Sequence, residues 1–317
     1  MIRHPLSVHG TILLAGLWCA PVGAQAQGLP PLFDAAPRKL VAAQTIAELP
    51  RRTFLENLVV TDAGLVVTSH EDGRLLRIVP GRAPEVLATL PGTIAGVAAD
   101  GSGGFVVTGA DRAGKATVYQ VSGAGRVDKT WPLADGVFLN GIERVAPGRF
   151  LIADSYRGAV WSLDVAAERI GLWLQSPLLQ RVDEKSPLPA ANGIRRMGDA
   201  VLISNTARMT VLRVPLRADG SAGEPSVWAE KVNVDDFAVL PDGSILAATH
   251  IYNSVVRIDA GGRVEVLAEA AQGTTGSTAV ALARDGRTAY VTTNGGMFLP
   301  PAGGVEPGRV IALQLAR

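Results

Sequence analysis

A short segment recurs six times along this chain, about every 40 to 50 residues, and this repeat restricts the folds available to it. Each copy has an apolar strand, a tight turn and a second apolar strand that ends in small or polar residues. The copies run over residues 53–70, 92–110, 137–155, 189–206, 232–250 and 276–294. A period of this length with several short strands per unit is typical of a β-propeller with one blade per repeat.

A third apolar run follows each strand pair, and a fourth follows the first five pairs. The sixth repeat ends after its third run, at 308–313, and lacks the outermost strand. An apolar run at 38–49 can supply that strand, and closing the ring in this way removes an exposed sheet edge. The sequence therefore predicts an all-β fold, a six-bladed β-propeller of four-stranded blades with an N-terminal strand closing the last blade.

The start of the chain has the features of a secretory signal peptide. Arg3 provides a basic start, an apolar core follows, and Ala-Gln-Ala at 24–26 is a small-residue cleavage pattern. The one cysteine, Cys19, lies inside this segment, so the mature protein is expected to use neither disulfides nor thiolate chemistry. We expect a signal peptide at 1–26, a single propeller domain at 27–317, and a periplasmic or secreted protein.

Charge and hydropathy restrict the class of partner. Without Arg3 the chain carries 29 basic and 29 acidic residues, and Lys and Arg form no long run. This balance argues against nucleic acid or an anionic membrane as a partner. After residue 26, no apolar stretch is long enough to span a bilayer. We expect a small-molecule substrate, no nucleic acid and no membrane span, and the oligomeric state stays open.

One position near the start of each repeat, which we call the ring position, carries several oxygen-bearing side chains. Aligning the six repeats assigns it to Glu56, Ala95, Asn140, Asn192, Asp236 and Thr278. Because the innermost strands of a propeller converge on its axis, these side chains are expected to surround one small volume. Carboxylate and amide oxygens suit a divalent cation, most naturally Ca²⁺, with Zn²⁺, Mg²⁺ or Mn²⁺ as alternatives. A turn is the alternative reading of the two Asn-Gly pairs.

The end of the second strand is a further repeat position with polar side chains. His70 and His250, the only histidines after residue 26, both occupy it. Ser155, Thr206 and Asn294 occupy it in other repeats. Because the second strand returns to the face where the first begins, these residues are expected to border the site, the histidines as proton carriers, substrate donors or extra ligands. Hydrogen bonding to a neighbouring blade is the alternative.

Two tyrosines and two long connections are expected on the same face. Tyr156 and Tyr252 follow the second strands and are predicted to line the pocket. The connections at 177–191 and 295–307 are longer than the others and are predicted to overhang it, either as a lid or as tolerated surface insertions.

At these residues the chain resembles the gluconolactonase/regucalcin (senescence marker protein) family of six-bladed propellers. The resemblance covers the sequence after residue 26 and implies a metal bound by Glu56, Asn192 and Asp236, with Asn140 lining the site. It also implies that the metal polarises a lactone or ester carbonyl and that Asp236 activates water. The pattern Asp-Asp-Phe-Ala at 235–238 resembles a divergent branch that includes fungal hetero-Diels-Alderase-like propellers.

Three functions follow as hypotheses. The first is an exported, metal-dependent hydrolase of a small lactone or ester, with Asp236, His70 and His250 as catalytic residues. Its substrate-binding residues are predicted to be Asn140, Ser155, Tyr156, Tyr252 and Asn294. The second is a non-hydrolytic cyclase or isomerase that uses the same pocket. The third is a propeller that binds a ligand or a protein without turnover.

Overall fold

The structure is a computed structural model that describes residues 29–315. The predicted signal peptide lies outside the described residues. Between residues 29 and 315 the chain forms 24 strands and two short 3₁₀-helices, at Pro177–Leu179 and Ala270–Gln272. In chain order the strands are β1 Ala42–Arg51, β2 Leu55–Thr61, β3 Gly64–Ser69, β4 Arg74–Ile78, β5 Glu85–Thr89, β6 Ile94–Ala99, β7 Phe105–Ala110, β8 Ala116–Val121, β9 Val127–Pro132, β10 Leu139–Ala146, β11 Arg149–Asp154, β12 Ala159–Asp164, β13 Arg169–Gln175, β14 Ala191–Met197, β15 Ala200–Asn205, β16 Thr210–Pro215, β17 Ser226–Glu230, β18 Phe237–Val239, β19 Ile245–Ala248, β20 Val255–Ile258, β21 Val264–Ala268, β22 Ser277–Leu282, β23 Thr288–Thr293 and β24 Pro307–Gln314.

These strands form six four-stranded antiparallel sheets, which are the blades of a propeller. Blades 1 to 5 each use four consecutive strands, from β2–β5 to β18–β21. Blade 6 consists of β22, β23, β24 and β1, and β1 pairs antiparallel with β24. The predicted six-bladed fold and its closure by an N-terminal strand are confirmed. No helix in the described part of the chain is long and apolar enough to cross a membrane.

Burial follows the position of each strand in its blade. The second strand β15 is buried along its whole length, because a neighbouring blade covers each of its faces. The outermost strand β9 is largely exposed and carries the charged residues Asp128 and Lys129. The apolar runs of the sequence are therefore the three inner strands of each blade, and they pack into six clusters of buried aliphatic and aromatic side chains.

The innermost strands carry a β-bulge near the axis. In blades 1 to 4 the ladder between first and second strand slips at the ring position, as between Leu139 and Ile142 of β10. Such a bulge turns a side chain out of the regular alternation. The residue after the ring position is Gly96, Gly141 or Gly193 in blades 2 to 4. A Cβ at Gly141 would lie 2.3 Å from the carbonyl oxygen of Asn192 in the next blade, so these glycines are required by close blade packing.

Replacing Gly141 by alanine is expected to lower the free energy of unfolding by about 1–3 kcal/mol, because the added methyl group forces blades 3 and 4 apart. Gly171→Ala is the matched control, since a Cβ at that outer-strand position meets no atom within 4 Å. Urea unfolding followed by circular dichroism measures both. Equal stability of the two variants would contradict the close approach of the blades.

Candidate functional site

The ring position brings three of the predicted oxygen-bearing side chains to one end of the propeller axis. Glu56, Asn140 and Asn192 are all buried there. A repeated hydrogen bond identifies the ring position in blades 2, 3 and 5: a hydroxyl on one blade donates to the carbonyl oxygen of the ring residue on the next. Thr68 Oγ1 donates to Ala95 (2.6 Å), Thr108 Oγ1 to Asn140 (2.5 Å) and Ser204 Oγ to Asp235 (2.7 Å).

The ring residue of blade 5 is therefore Asp235, and the alignment that assigned Asp236 to it was wrong by one residue. The pairing of the first and second strands supports this assignment. Leu58, two residues after Glu56, pairs with Val67 in blade 1, and Phe237, two residues after Asp235, pairs with Ala247 in blade 5. The error has a physical cause. Hairpin turns differ by one residue between blades, so spacing alone did not decide between two adjacent aspartates.

Asp236 lies at the position that glycine occupies in blades 2 to 4, and it is surrounded by donors. Its Oδ2 atom accepts hydrogen bonds from Asn57 Nδ2 (2.6 Å) and from Arg195 Nη2 (2.5 Å). Its Oδ1 atom accepts one from the backbone N–H of Phe237 (2.7 Å). Burial raises the pKa of Asp236 against the opposing effect of Arg195. Because protein donors engage both oxygens, the predicted roles of Asp236 as metal ligand and base do not fit this arrangement.

Glu56 and Asp235 form a pair of buried carboxylates with unsatisfied oxygens. Glu56 Oε2 is buried and has no hydrogen-bond partner among the described residues. Asp235 Oδ2 also lacks a bond of hydrogen-bond geometry, although His250 Nδ1 lies 3.0 Å away. Burial raises the pKa of Glu56 well above its ordinary value, and the charges of Asp235 and Asp236 add to the rise. A buried anionic site with free oxygens needs a proton or a cation to balance it.

The two asparagines at the ring position are held by hydrogen bonds between side chains. Asn192 Nδ2 donates to Asp235 Oδ1 (2.5 Å) and to Thr206 Oγ1 (3.1 Å). Asn140 Nδ2 donates to Ser155 Oγ (3.3 Å), whose hydroxyl donates to the carbonyl of Ala191 (2.6 Å). Ser155 therefore ties blade 3 to blade 4 beneath the site. The amide nitrogens point to protein acceptors, which leaves the amide oxygens as the atoms that could bind a ligand.

His250 has both ring nitrogens engaged, and its tautomer follows from its neighbour Asn294. The Oδ1 atom of Asn294 accepts the backbone N–H groups of Gly296 (2.9 Å) and Met297 (3.2 Å). Its Nδ2 atom must then donate to His250 Nε2, 2.8 Å away. A neutral His250 ring therefore carries its proton on Nδ1, facing Asp235. His250 and Asn294 orient Asp235, and His250 has no free lone pair for a substrate.

His70 stands at the same repeat position and is arranged differently. Its Nδ1 atom lies 2.7 Å from the carbonyl oxygen of Ile94 and must be the donor in that bond. In the neutral ring Nε2 then has a lone pair, and none of the described residues donates a hydrogen bond to it. Burial lowers the pKa of His70, which favours the neutral form. Of the two histidines, His70 is the one that can accept a proton.

The lowered pKa of His70 predicts a loss of stability in mild acid. The unfolded chain binds the proton more readily, so the contribution of His70 falls as the pH drops below its ordinary pKa of 6.5. In the variant His70→Asn the amide can keep the bond to Ile94, and we expect a flatter stability profile between about pH 6.5 and pH 5. Urea titrations at several pH values measure the difference between the two proteins. Parallel profiles would show that His70 does not titrate below its ordinary range.

An aromatic cluster covers the site. The ring of Phe54 lies 5.1 Å from that of His70, 6.3 Å from that of His250 and 5.7 Å from that of Phe298, measured between centroids. Phe138 extends the cluster by a T-shaped contact with His70 at 6.2 Å. Phe54 is buried, whereas Phe298 is about half exposed. The cluster packs against both histidines, and through His250 it adjoins Asp235.

The two long connections do lie on this face. The 295–307 loop contributes Phe298 to the aromatic cluster. The 177–191 loop contacts Tyr156, whose hydroxyl donates to Pro187 O (3.0 Å) and whose ring lies 4.6 Å from the guanidinium carbon of Arg181. The ring of Tyr156 also lies against that of Phe138, with centroids 5.1 Å apart and the planes tilted by 36°, so Tyr156 borders the aromatic cluster.

Tyr252 has a different environment from the one predicted. Its ring packs edge-on against Phe33 at a centroid distance of 5.0 Å. Both residues belong to the apolar cluster that joins blades 4 and 5. Tyr252 packs against this cluster, and its role in binding substrate stays a prediction.

The donor set fits a divalent cation with few protein ligands. The described residues contain no group of three or more His, Cys, Asp and Glu side chains placed to hold a metal ion. The candidate set instead combines the free oxygens of Glu56 and Asp235 with amide oxygens of Asn192 and Asn140. Two carboxylates and neutral oxygen donors are what Ca²⁺ accepts, with water in the remaining positions.

Sequence reasoning missed three parts of this site: Asn57, Arg195 and the phenylalanines of the cover. Phe54 and Phe138 stand two residues before the ring position in blades 1 and 3, so aligning the repeats could have found them. Asn57 occupies a position that is glycine in blades 2 to 4, and this difference could have marked it as a site residue. The contribution of Phe298 depends on the path of a long loop and had no sequence signal.

Comparison with solved structures finds the same fold in other proteins. No protein-family model matches the chain, and no curated protein matches it in sequence. Regucalcin from Agrobacterium tumefaciens, which is described as a calcium-binding protein, superposes with a TM-score of 0.67 at 17% sequence identity, over 88% of this chain and 96% of that one. A gluconolactonase from Xanthomonas campestris superposes with a TM-score of 0.63 at 15% sequence identity, over 89% of this chain and 92% of that one.

A third solved structure represents another activity. It is a catalytically inactive histidine-to-alanine variant of virginiamycin B lyase from Staphylococcus aureus with quinupristin. It gives a TM-score of 0.56 at 12% identity, over 83% of this chain and 80% of that one. At such identities the likeness shows a shared fold. The superpositions on regucalcin and gluconolactonase confirm the resemblance to those propellers at the level of the fold. The likeness to fungal hetero-Diels-Alderase-like proteins stays a prediction.

Proposed function

We propose that this protein is a metal-dependent hydrolase of a small lactone or ester. The observation that carries the proposal is the pair of buried carboxylates: Glu56 Oε2 has no hydrogen-bond partner among the described residues, and Asp235 Oδ2 faces only the Nδ1 atom of His250, 3.0 Å away. Buried carboxylates with free oxygens are rare in structural roles, because an unpaired buried charge destabilises the fold. The fold shared with a calcium-binding protein and a gluconolactonase is consistent with it.

Glu56, Asp235 and the amide oxygen of Asn192 would hold the cation, with Asn140 beside them. This set keeps two of the three ligands predicted from the sequence and replaces Asp236 by its neighbour. Bound there, a divalent cation supplies Lewis-acid polarisation of the substrate carbonyl. Ca²⁺ suits these oxygen ligands best, and Zn²⁺, Mg²⁺ and Mn²⁺ remain alternatives.

The proton transfers of hydrolysis fall to His70 in this proposal. Its Nε2 lone pair takes a proton from the attacking water as the water oxygen bonds to the acyl carbon. When the bond from the acyl carbon to the leaving oxygen breaks, the same nitrogen returns the proton to that oxygen. His250 and Asn294 hold Asp235 in place through the contacts described above. The aromatic cover limits the access of bulk water, and Phe298 must move for a substrate to enter.

Isotope incorporation tests this function. A panel of lactones and esters is incubated in H₂¹⁸O with Ca²⁺, and hydrolysis is expected to place one heavy oxygen in the carboxylate product. Glu56→Gln and His70→Asn are each expected to lower kcat by about a hundredfold or more, in line with the usual contribution of a general base. Cation binding without turnover of any panel member would favour a binding propeller instead.

A lyase or isomerase that moves protons without hydrolysis is the second candidate. The arrangement that favours it is the Nε2 lone pair of His70 beneath an apolar cover, since such a base can remove a substrate proton where water is excluded. The virginiamycin B lyase among the structural neighbours, inactive without one histidine, is consistent with this candidate. Product that forms without ¹⁸O would support it over hydrolysis. Action in the periplasm or outside the cell rests on the predicted signal peptide.

A further inference from the structure

The propeller axis has a second opening, at the end opposite the carboxylate pair. A cavity of about 370 Å³ lies there, lined by residues from all six innermost strands. We call it the lower cavity. Its volume is within the range of small-molecule sites. Blades 1, 2, 5 and 6 line it with aliphatic residues such as Val59, Val97 and Val280, apart from Arg284, and blades 3 and 4 contribute charged side chains.

The charged side of the lower cavity carries more cations than anions. Arg144, Arg195, Arg196 and Arg284 line it, against one carboxylate, Glu143. Burial raises the pKa of Glu143 against the opposing effect of Arg195, so this carboxylate is poorly suited to balance them.

Three of these arginines have protein partners. Arg195 donates to Asp236, and Arg284 forms an ion pair with Asp62. The guanidinium of Arg196 donates to the carbonyl oxygens of Gly198 (3.1 Å) and Val145 (2.7 Å).

Arg144 is the exception. Its Nε atom is buried without a hydrogen-bond partner, and none of the described acidic side chains lies within ion-pair distance of its guanidinium. The guanidinium rests against Gly101 in the turn of blade 2, where an added Cβ would lie 2.3 Å from Nη1. Arg144 is thus held at the cavity by a neighbouring blade and keeps donors available.

From this juxtaposition we infer that the lower cavity is a binding site for a small organic carboxylate with an apolar chain, independent of the carboxylate pair at the upper end. Arg144 binds the carboxylate, because a guanidinium fork matches its two oxygens. The aliphatic residues of the other blades bury the chain and favour it over an inorganic anion. This inference does not depend on which reaction takes place at the carboxylate pair.

Calorimetric titration with octanoate tests the inference. The titration is run with a chelator present, so that no metal at the upper end can bind the carboxylate. Saturable binding at a ratio of one is expected, and Arg144→Gln is expected to weaken it about tenfold or more, the usual effect of losing a charge-assisted hydrogen bond. Glu143→Gln is expected to strengthen binding, because it removes the one anionic group of the cavity.

Two controls make the result specific. Arg112→Gln changes an exposed arginine away from the cavity and is expected to leave binding unchanged. 1-Octanol and inorganic phosphate are expected to bind at least tenfold more weakly than octanoate, since each lacks half of the recognised chemistry. No saturable binding, or equal binding by wild type and by an Arg144→Gln variant with an unaltered unfolding midpoint, would overturn the inference. Phosphate binding as tight as octanoate would also overturn it.

Discussion

Replacing Arg195 by alanine is expected to lower the free energy of unfolding by about 3–5 kcal/mol, a loss well above that of an ordinary point substitution. The reason is the burial of its partner. Asp236 is buried, and Arg195 is the only cation that pairs with it among the described residues. Removing the guanidinium leaves a carboxylate without its countercharge in the interior. Urea unfolding at neutral pH measures the loss.

A surface pair in the same blade provides the control. Arg213 and Asp199 are separated by 2.8 Å, and their side chains are 35% and 86% exposed, so Arg213→Ala is expected to change stability by about 0–1 kcal/mol. Combining Arg195→Met with Asp236→Asn is expected to recover much of the lost stability, because no buried charge remains. Similar losses for Arg195→Ala and Arg213→Ala would mean that Asp236 finds another partner or takes up a proton without penalty.

Glu56→Gln and Asp235→Asn are each expected to abolish the stabilisation of the fold by Ca²⁺. A ligand that binds the native state alone at one hundred times its Kd stabilises it by about 2.7 kcal/mol. Wild type is expected to gain this amount when Ca²⁺ replaces a chelator, and the two variants are expected to gain almost none. Without the cation, Glu56→Gln is expected to be at least as stable as wild type, because it removes a buried carboxylate. Thermal unfolding with and without Ca²⁺ measures both effects.

Asp236→Asn is the matched control for this pair, since it changes the adjacent carboxylate of the same strand. It is expected to be less stable than wild type and still to gain stability from Ca²⁺. If Asp236→Asn alone lost the Ca²⁺ response, the register derived from the hydrogen bonds of blade 5 would be contradicted. The assignment made from sequence would then be correct.

The architecture was predictable from the sequence because each blade repeats the same strand pair. Apolar runs and their turns indicated the number of blades, and the missing outer strand of blade 6 indicated that β1 closes the ring. Glu56, Asn140 and Asn192, which the repeat alignment assigned to one position, are all buried. These features depend on local periodicity, which a single sequence displays.

The rest of the site depends on relations that periodicity does not display. Two adjacent aspartates fit the spacing of blade 5 equally well, and the hydrogen bond from Ser204 to Asp235 and the pairing of Phe237 with Ala247 separate them. The bonds that join Asn57 and Arg195 to Asp236 cross between blades far apart in sequence. The tautomer of His250 likewise follows from an asparagine at the start of a long loop. Each of these relations is visible only in three dimensions.

A crystal structure of the protein grown with Ca²⁺ is the decisive test of the carboxylate pair as a cation site. We expect an anomalous peak within about 2.3–2.6 Å of an oxygen of Glu56 and an oxygen of Asp235, the distances usual for this ion. Asn192 is expected to turn its amide oxygen to the same peak, and Asp236 is expected to keep its bonds to Asn57 and Arg195. A fully ordered site without a peak, or a peak bound by Asp236, would contradict the proposed cation site.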